Sequence, residues 1–384
     1  MKTSSFKIKN TLGMFDLLKG AVMFSMIIGH THGLVGGGNQ NPISMVISFV
    51  LTFFGEAAMP ALMIVSGYGF RKAPTKKCFV RLYKTLLIPY FITVVLTAVA
   101  RVLGNYFVYG GFVYSVKEAV KVLLGGLVGV TRDTSIAGHM IYDCGPCWFM
   151  MALVLACLIF NELLKHFKGK NLFVASLVIS CIGWALSLGP GLPFTISQGL
   201  VSTLYICIGY MAKKEKFFVS LTETKKIVGL SLGAVIVNLI FKGLGGEFYL
   251  AHSTYSYGPI AIFVTAASAT AVIYWFLHLN RYTGKISSGL RNVGRNSLYV
   301  LCAHSIEYTA IGKYVQIDFF EKWVGSSGPR ILAMIALRII VDFTLAYGYV
   351  GVKKYFSNKQ EGEKGEDVIE RRNSVWKQSL KKSS

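Results

Sequence analysis

Asp16, Lys19 and His30 lie in one apolar stretch near the start of the chain. Lys19 and His30 are eleven residues apart, roughly three helical turns. A helix would carry both on one face, about 16 Å apart along its axis. Asp16, three residues before Lys19, falls on nearly the same face. If the stretch lies in lipid, each such group costs on the order of 2.5–3.5 kcal/mol on insertion scales and is a functional candidate. An imidazole titrates near neutral pH and can take a proton from a hydroxyl, so His30 is a candidate general base. The plain alternative is a histidine hydrogen-bonded between helices. His32 is expected nearer the outer interface.

Glu56 sits in the middle of a second apolar run and needs a partner there. Three uses are open to it: orienting a catalytic histidine, binding an acceptor hydroxyl, or pairing with Lys19. Arg81 and Lys84 flank the start of a third run, with Arg71, Lys72, Lys76 and Lys77 just before them. This is ordinary interfacial charge or a cationic mouth for phosphate groups. His304 and Glu307 are one turn apart in a later run, and Arg338 and Asp342 four apart in the last. The second pair reads as an internal ion pair between helices. Cys144-Gly-Pro-Cys147 has the spacing of a redox pair but lacks the strand–helix setting such a pair needs.

These residues must be positioned by membrane helices. The 384-residue chain is 53% hydrophobic and 15% charged, with mean hydropathy +0.52, against about 25% charged in soluble domains. A crossing takes roughly 20 residues. Candidate spans are 12–35, 44–70, 82–103, 146–164, 172–189, 197–212, 226–244, 257–279, 295–313 and 331–352. The expected fold class is therefore all-α, a polytopic bundle of about ten helices. Ten spans place the great majority of the 40 Lys and Arg on one side, which makes that side, with both termini, cytoplasmic. The net charge of +22 is thus a topology signal, and its clustered placement excludes a continuous nucleic-acid face. The seven Cys form no disulfide framework. The basic N-terminus resembles a signal peptide, but Asp16 and Lys19 interrupt its apolar stretch, which reads as an uncleaved first helix. The expected organisation is a cytoplasmic segment 1–11, a membrane domain 12–352 with an external loop 104–145, and a disordered cytoplasmic tail 353–384. Within that loop, 116–128 is expected to form a short interfacial helix.

Several blocks resemble the acyltransferase-3 family of integral membrane acyltransferases, especially members that O-acetylate cell-surface sugars. They are Phe15-Asp-Leu-Leu-Lys-Gly-Ala through Ile28-Gly-His30, Met59 to Tyr68, Arg81-Leu-Tyr-Lys84 with Ile88-Pro-Tyr90, Pro146-Cys-Trp148-Phe, Ile208-Gly-Tyr210, and Val293 to His304 with its Gly-x-Asn296-Ser. The resemblance spans about residues 12–352 in order. It implies an acyl-CoA donor, commonly acetyl-CoA, and a hydroxyl acceptor. It gives His30 a catalytic role and Lys19, Arg81 and Lys84 donor binding. Arg71 is added to the donor site for its charge, and Glu56 joins His30 as a catalytic candidate on physical grounds alone. Trp148, Asn296 and His304 are expected to bind substrate. Lys19 and Lys84 stand where arginine is commoner in the family, keeping charge without the bidentate fork.

The expectation is an O-acyltransferase of the plasma (inner) membrane that moves an acyl group, in the first instance acetyl, from cytoplasmic acyl-CoA to a hydroxyl of an envelope sugar, polysaccharide or glycolipid. No metal and no permanently bound cofactor are expected; the partners are membrane lipid, donor and acceptor, with no nucleic acid. The rival is a transporter or exporter of an envelope glycan or small molecule. Inverted repeats and paired broken helices, which would favour it, are not found.

Overall fold

A computed structural model describes residues 13–35, 42–136, 138–189, 191–220, 224–312 and 329–355, together with residues 8 and 11. The expected segment 1–11 and tail 353–384 therefore lie almost wholly outside the described residues, as do Lys313 and Lys322.

The described chain is helical apart from two small hairpins. In chain order the helices are α1 (Asp16–Val35), α2 (Pro42–Gly69), α3 (Thr75–Tyr109), α4 (Phe112–Val128), α5 (Gly145–His166), α6 (Gly169–Ser187), α7 (Pro193–Lys214), α8 (Thr224–Gly243), α9 (Pro259–Leu279), α10 (Lys285–Arg295), α11 (Ser297–Glu307) and α12 (Pro329–Tyr355). A single helical turn at Phe217–Ser220 precedes α8. Among the described residues, seven helices are long and apolar enough to cross a membrane: α2, α3, α5, α6, α7, α9 and α12. The remaining expected spans correspond to α1, α8 and α11, which are not among the seven.

Three stretches differ from expectation for local reasons. The third helix runs far past 82–103, from Thr75, so Arg81 and Lys84 sit within it. A wide π-type turn at Tyr83–Leu87 interrupts its regular ladder there, next to Pro89, which has no N–H for the Thr85 carbonyl. The expected loop 104–145 holds α4 and the hairpin β1 (Thr134–Ile136) to β2 (His139–Ile141). The stretch between the expected spans 257–279 and 295–313 holds α10, and α11 begins at Ser297, close to the expected start, after Asn296, whose backbone leaves helical geometry.

Small residues set the helix crossings. A Cβ at Gly67 would meet the Ile206 carbonyl oxygen at 2.1 Å, and one at Gly209 would meet that of Ile64 at 1.9 Å. Thus α2 and α7 touch backbone to backbone, as membrane helices do where small residues coincide. Gly20 and Gly294 do the same for α1 and α10: a Cβ would meet the Leu290 oxygen at 2.0 Å and the Asp16 oxygen at 1.8 Å. α7 packs against α2, α5 and α6, and α9 against α2 and α8. Phe91, Ile92, Val95, Leu96, Val99 and Leu103 leave one side of α3 apolar and exposed, suited to lipid.

Candidate active site

His30 stands near the C-terminal end of α1 and lines a cavity of about 560 Å³. Glu56 and Trp148 line the same cavity, so three expected site residues from three helices converge. The second hairpin, β3 (Phe248–Tyr249) to β4 (Thr254–Tyr255), contributes Phe248, Tyr249, Leu250 and Ala251 to the wall. That hairpin is held in place by Gln198 of α7, whose Nε2 donates to the Ala251 carbonyl at 3.0 Å and to Thr131 Oγ1 at 3.2 Å. At its tip, partial burial and then Arg132 push His252 below the usual histidine range.

Glu56 follows directly on a π-type turn, Leu51–Gly55. Such turns insert a residue into the helical ladder and often accompany functional sites. Of its three open uses, pairing with Lys19 is not what forms: Glu56 Oε1 accepts a hydrogen bond from Lys242 at the end of α8. Lys19 pairs instead with Asp16, at 2.6 Å. The second Glu56 oxygen is buried without a hydrogen-bond partner.

Among the described residues His30 makes ring contacts and no hydrogen bond. Its centroid lies 4.9 Å from that of Tyr308 and 5.4 Å from that of His304. Behind these rings is a buried charged cluster joining α11 and α12. His304 Nδ1 is 2.8 Å from Asp342 Oδ2, and Arg338 Nε is 3.6 Å from Glu307 Oε1. All four side chains are fully inaccessible. The Arg338 guanidinium also lies over the Tyr308 ring at 5.5 Å. Donor atoms of His304, Glu307 and Asp342 lie within 4.8 Å of one another, a spacing a metal ion could use. Arg338 already supplies a positive charge to this cluster, and a second cation beside it would be repelled.

The expected donor residues occupy the other end of the helices and do not line this cavity. The Phe70–Pro74 connection is anchored on α5 by Asn161, which accepts from the Ala73 N–H at 3.1 Å and donates to its carbonyl at 3.0 Å. Arg81 reaches back over it, donating to the Arg71 carbonyl at 3.4 Å and lying 5.7 Å from the Phe70 ring centroid. Arg71, Arg81 and Lys84 are exposed. Asn296 is not brought to the cavity either; its Nδ2 donates to the Asn292 carbonyl at 3.0 Å, at the α10–α11 break. His304 is one ring removed from the cavity wall. His32 also lines the cavity, with Nε2 2.9 Å from Ser44 Oγ. Cys144 and Cys147 are free thiols, and Cys147 Sγ donates to the Cys144 carbonyl.

Three residues of the site were not singled out from the sequence: Lys242, Tyr249 and Tyr308. Tyr308 had a signal, one turn beyond His304 on the same helix. Lys242 had a weaker one, an isolated cation at the external end of an apolar run. Tyr249 had none, because only the hairpin brings it to the wall.

The family model of an acyltransferase domain, acyltransferase-3, matches residues 13–346. No curated protein and no solved structure matches the chain.

Proposed function

This chain belongs to the acyltransferase-3 family, and from that premise we propose that it transfers an acyl group, in the first instance acetyl, from cytoplasmic acyl-CoA to a hydroxyl of a cell-envelope sugar or polysaccharide. The observation that carries the reading is the shared cavity of His30, Glu56 and Trp148. It joins a ring with unused nitrogens, a carboxylate oxygen free to accept, and aromatic walls from Trp148, Tyr249 and Tyr308. Aromatic faces and a carboxylate acceptor suit a sugar, which offers apolar C–H faces and hydroxyl donors.

In this reading the bundle has ten spans with both termini cytoplasmic. Arg71, Arg81 and Lys84 receive the phosphates of the donor at the inner mouth, and Lys19 guides its arm along α1. His30 takes the proton of the acceptor hydroxyl, whose oxygen attacks the thioester carbonyl; the thiolate leaves and takes that proton back. Glu56, fixed by Lys242, holds the acceptor in line, and that positioning supplies a large share of the rate.

Purified protein incubated with acyl-labelled acyl-CoA and an envelope glycan tests the activity. Label transferred to the glycan with release of free coenzyme A is expected. Glycan movement across a vesicle with no consumption of the donor would instead establish the transporter.

A further inference from the structure

Four fully buried ionisable side chains lie immediately behind His30, and the mechanism above uses none of them. Asp342 holds His304 Nδ1 at 2.8 Å. With Asp342 ionised its carboxylate accepts, which places the hydrogen of His304 on Nδ1 and a lone pair on its other nitrogen, Nε2. That Nε2 is buried with no hydrogen-bond partner, an expensive state for a polar atom unless it serves a purpose. The nearest polar ring is His30, whose centroid is 5.4 Å away at an interplanar angle of 42°. Two imidazoles stand about this far apart when a nitrogen of one nears hydrogen-bonding range of the other. Catalytic hydrogen bonds are often long before substrate binds and tighten afterwards.

Building on the reading of His30 as general base, we infer that Asp342 and His304 form a positioning chain for it. His304 Nε2 accepts the hydrogen of one His30 nitrogen, which leaves the lone pair of the other nitrogen facing the cavity. When the acceptor O–H gives its proton to that nitrogen, the O–C bond forms and the C–S bond of the thioester breaks. The positive charge on His30 is then stabilised through His304 by the Asp342 carboxylate. The imidazolium returns the proton to the departing thiolate, and neither His304 nor Asp342 changes its net protonation. The other groups facing His304 are Glu307 on its own helix, Tyr308 in the π-type turn that continues it, and Arg338 from α12. Arg338 Nε lies 3.6 Å from Glu307 Oε1, while the Asp342 oxygen at hydrogen-bonding distance meets His304.

Three variants test this in the full-length protein. His304→Asn keeps a donor for Asp342 and removes the second ring nitrogen. Its kcat is expected to fall about 100-fold, with both KM values within about threefold of wild type. His304→Gly is expected to regain turnover when imidazole is added, which a packing role would not allow. Asp342→Asn, close in shape, is expected to lower kcat with unchanged KM, and it stands in if the histidine variants do not fold. A folded His304→Asn or Asp342→Asn with wild-type kcat overturns the inference, as does a His304→Gly loss that imidazole leaves unrepaired. His30→Ala is the control. If it stays active, the reading of His30 itself fails; if it is dead while the His304 and Asp342 variants are active, only the positioning chain fails.

Discussion

Glu56 shows what a carboxylate in an apolar span requires. Lys242 neutralises it through one oxygen, and the other is left buried and unpartnered. An unsatisfied acceptor of this kind costs about 1–3 kcal/mol, which a hydroxyl donor from a substrate would recover. Glu56→Gln should therefore raise the KM for the acceptor about tenfold while that for the donor stays put. Unchanged acceptor kinetics would move the acceptor away from this oxygen. At the opposite end, Arg71, Arg81 and Lys84 are exposed and gather around one connection. The double variant Arg81→Gln with Lys84→Gln should raise the KM for the donor and leave that for the acceptor alone. An effect on the acceptor only would remove these residues from the donor site. Residue types were readable in advance; partners were not. The i, i+4 spacing suggested Arg338 with Asp342, whose charges do act on each other, but it gave no sign of the contacts across to α11, from Asp342 to His304 and from Arg338 to Glu307. Spacing along one helix says which groups share a face, and only packing decides what that face meets.

Helices carry the site through a few crossings, and the short glycine-bearing blocks of the sequence turn out to be those crossings. Gly67 lies near the end of one block and Gly209 in another; the two meet where α2 crosses α7. Gly20 and Gly294 join the first block to the last. A side chain at either crossing would drive helices apart by more than the few tenths of an ångström a packed core yields. Gly67→Val should thus cost about 3 kcal/mol or more, read as a lowered thermal midpoint in detergent. Gly69→Ala, where a Cβ meets nothing within 4 Å, should leave that midpoint unchanged. Equal stability of the two variants would refute the backbone contact. Apolar run length was enough to locate the long helices, because burial in lipid imposes it. It missed α10, a charged amphipathic helix with no long apolar run to mark it. It also missed both hairpins, whose strands are only two or three residues long.

At the scale of the whole molecule, the two expected halves of the site are separated. The cavity lining reaches inward along α1 only to Ser25, about 9 Å of helix beyond Lys19. Between them the side chains of Val22 and Met23 are buried. On the proposed reading, a donor held at the basic end brings its thioester past these side chains to His30, and rearrangements on substrate binding are common in enzymes. The account stands on His30 being where the acyl group changes hands. The most direct measurement places the protein in sealed vesicles, with acyl-labelled acyl-CoA at the face bearing Arg81 and Lys84 and the glycan at the other. Wild-type and His30→Ala protein are compared at equal, folded amounts. The account predicts label on the glycan with the wild type and none above background with His30→Ala; label from the variant at the wild-type rate would contradict it.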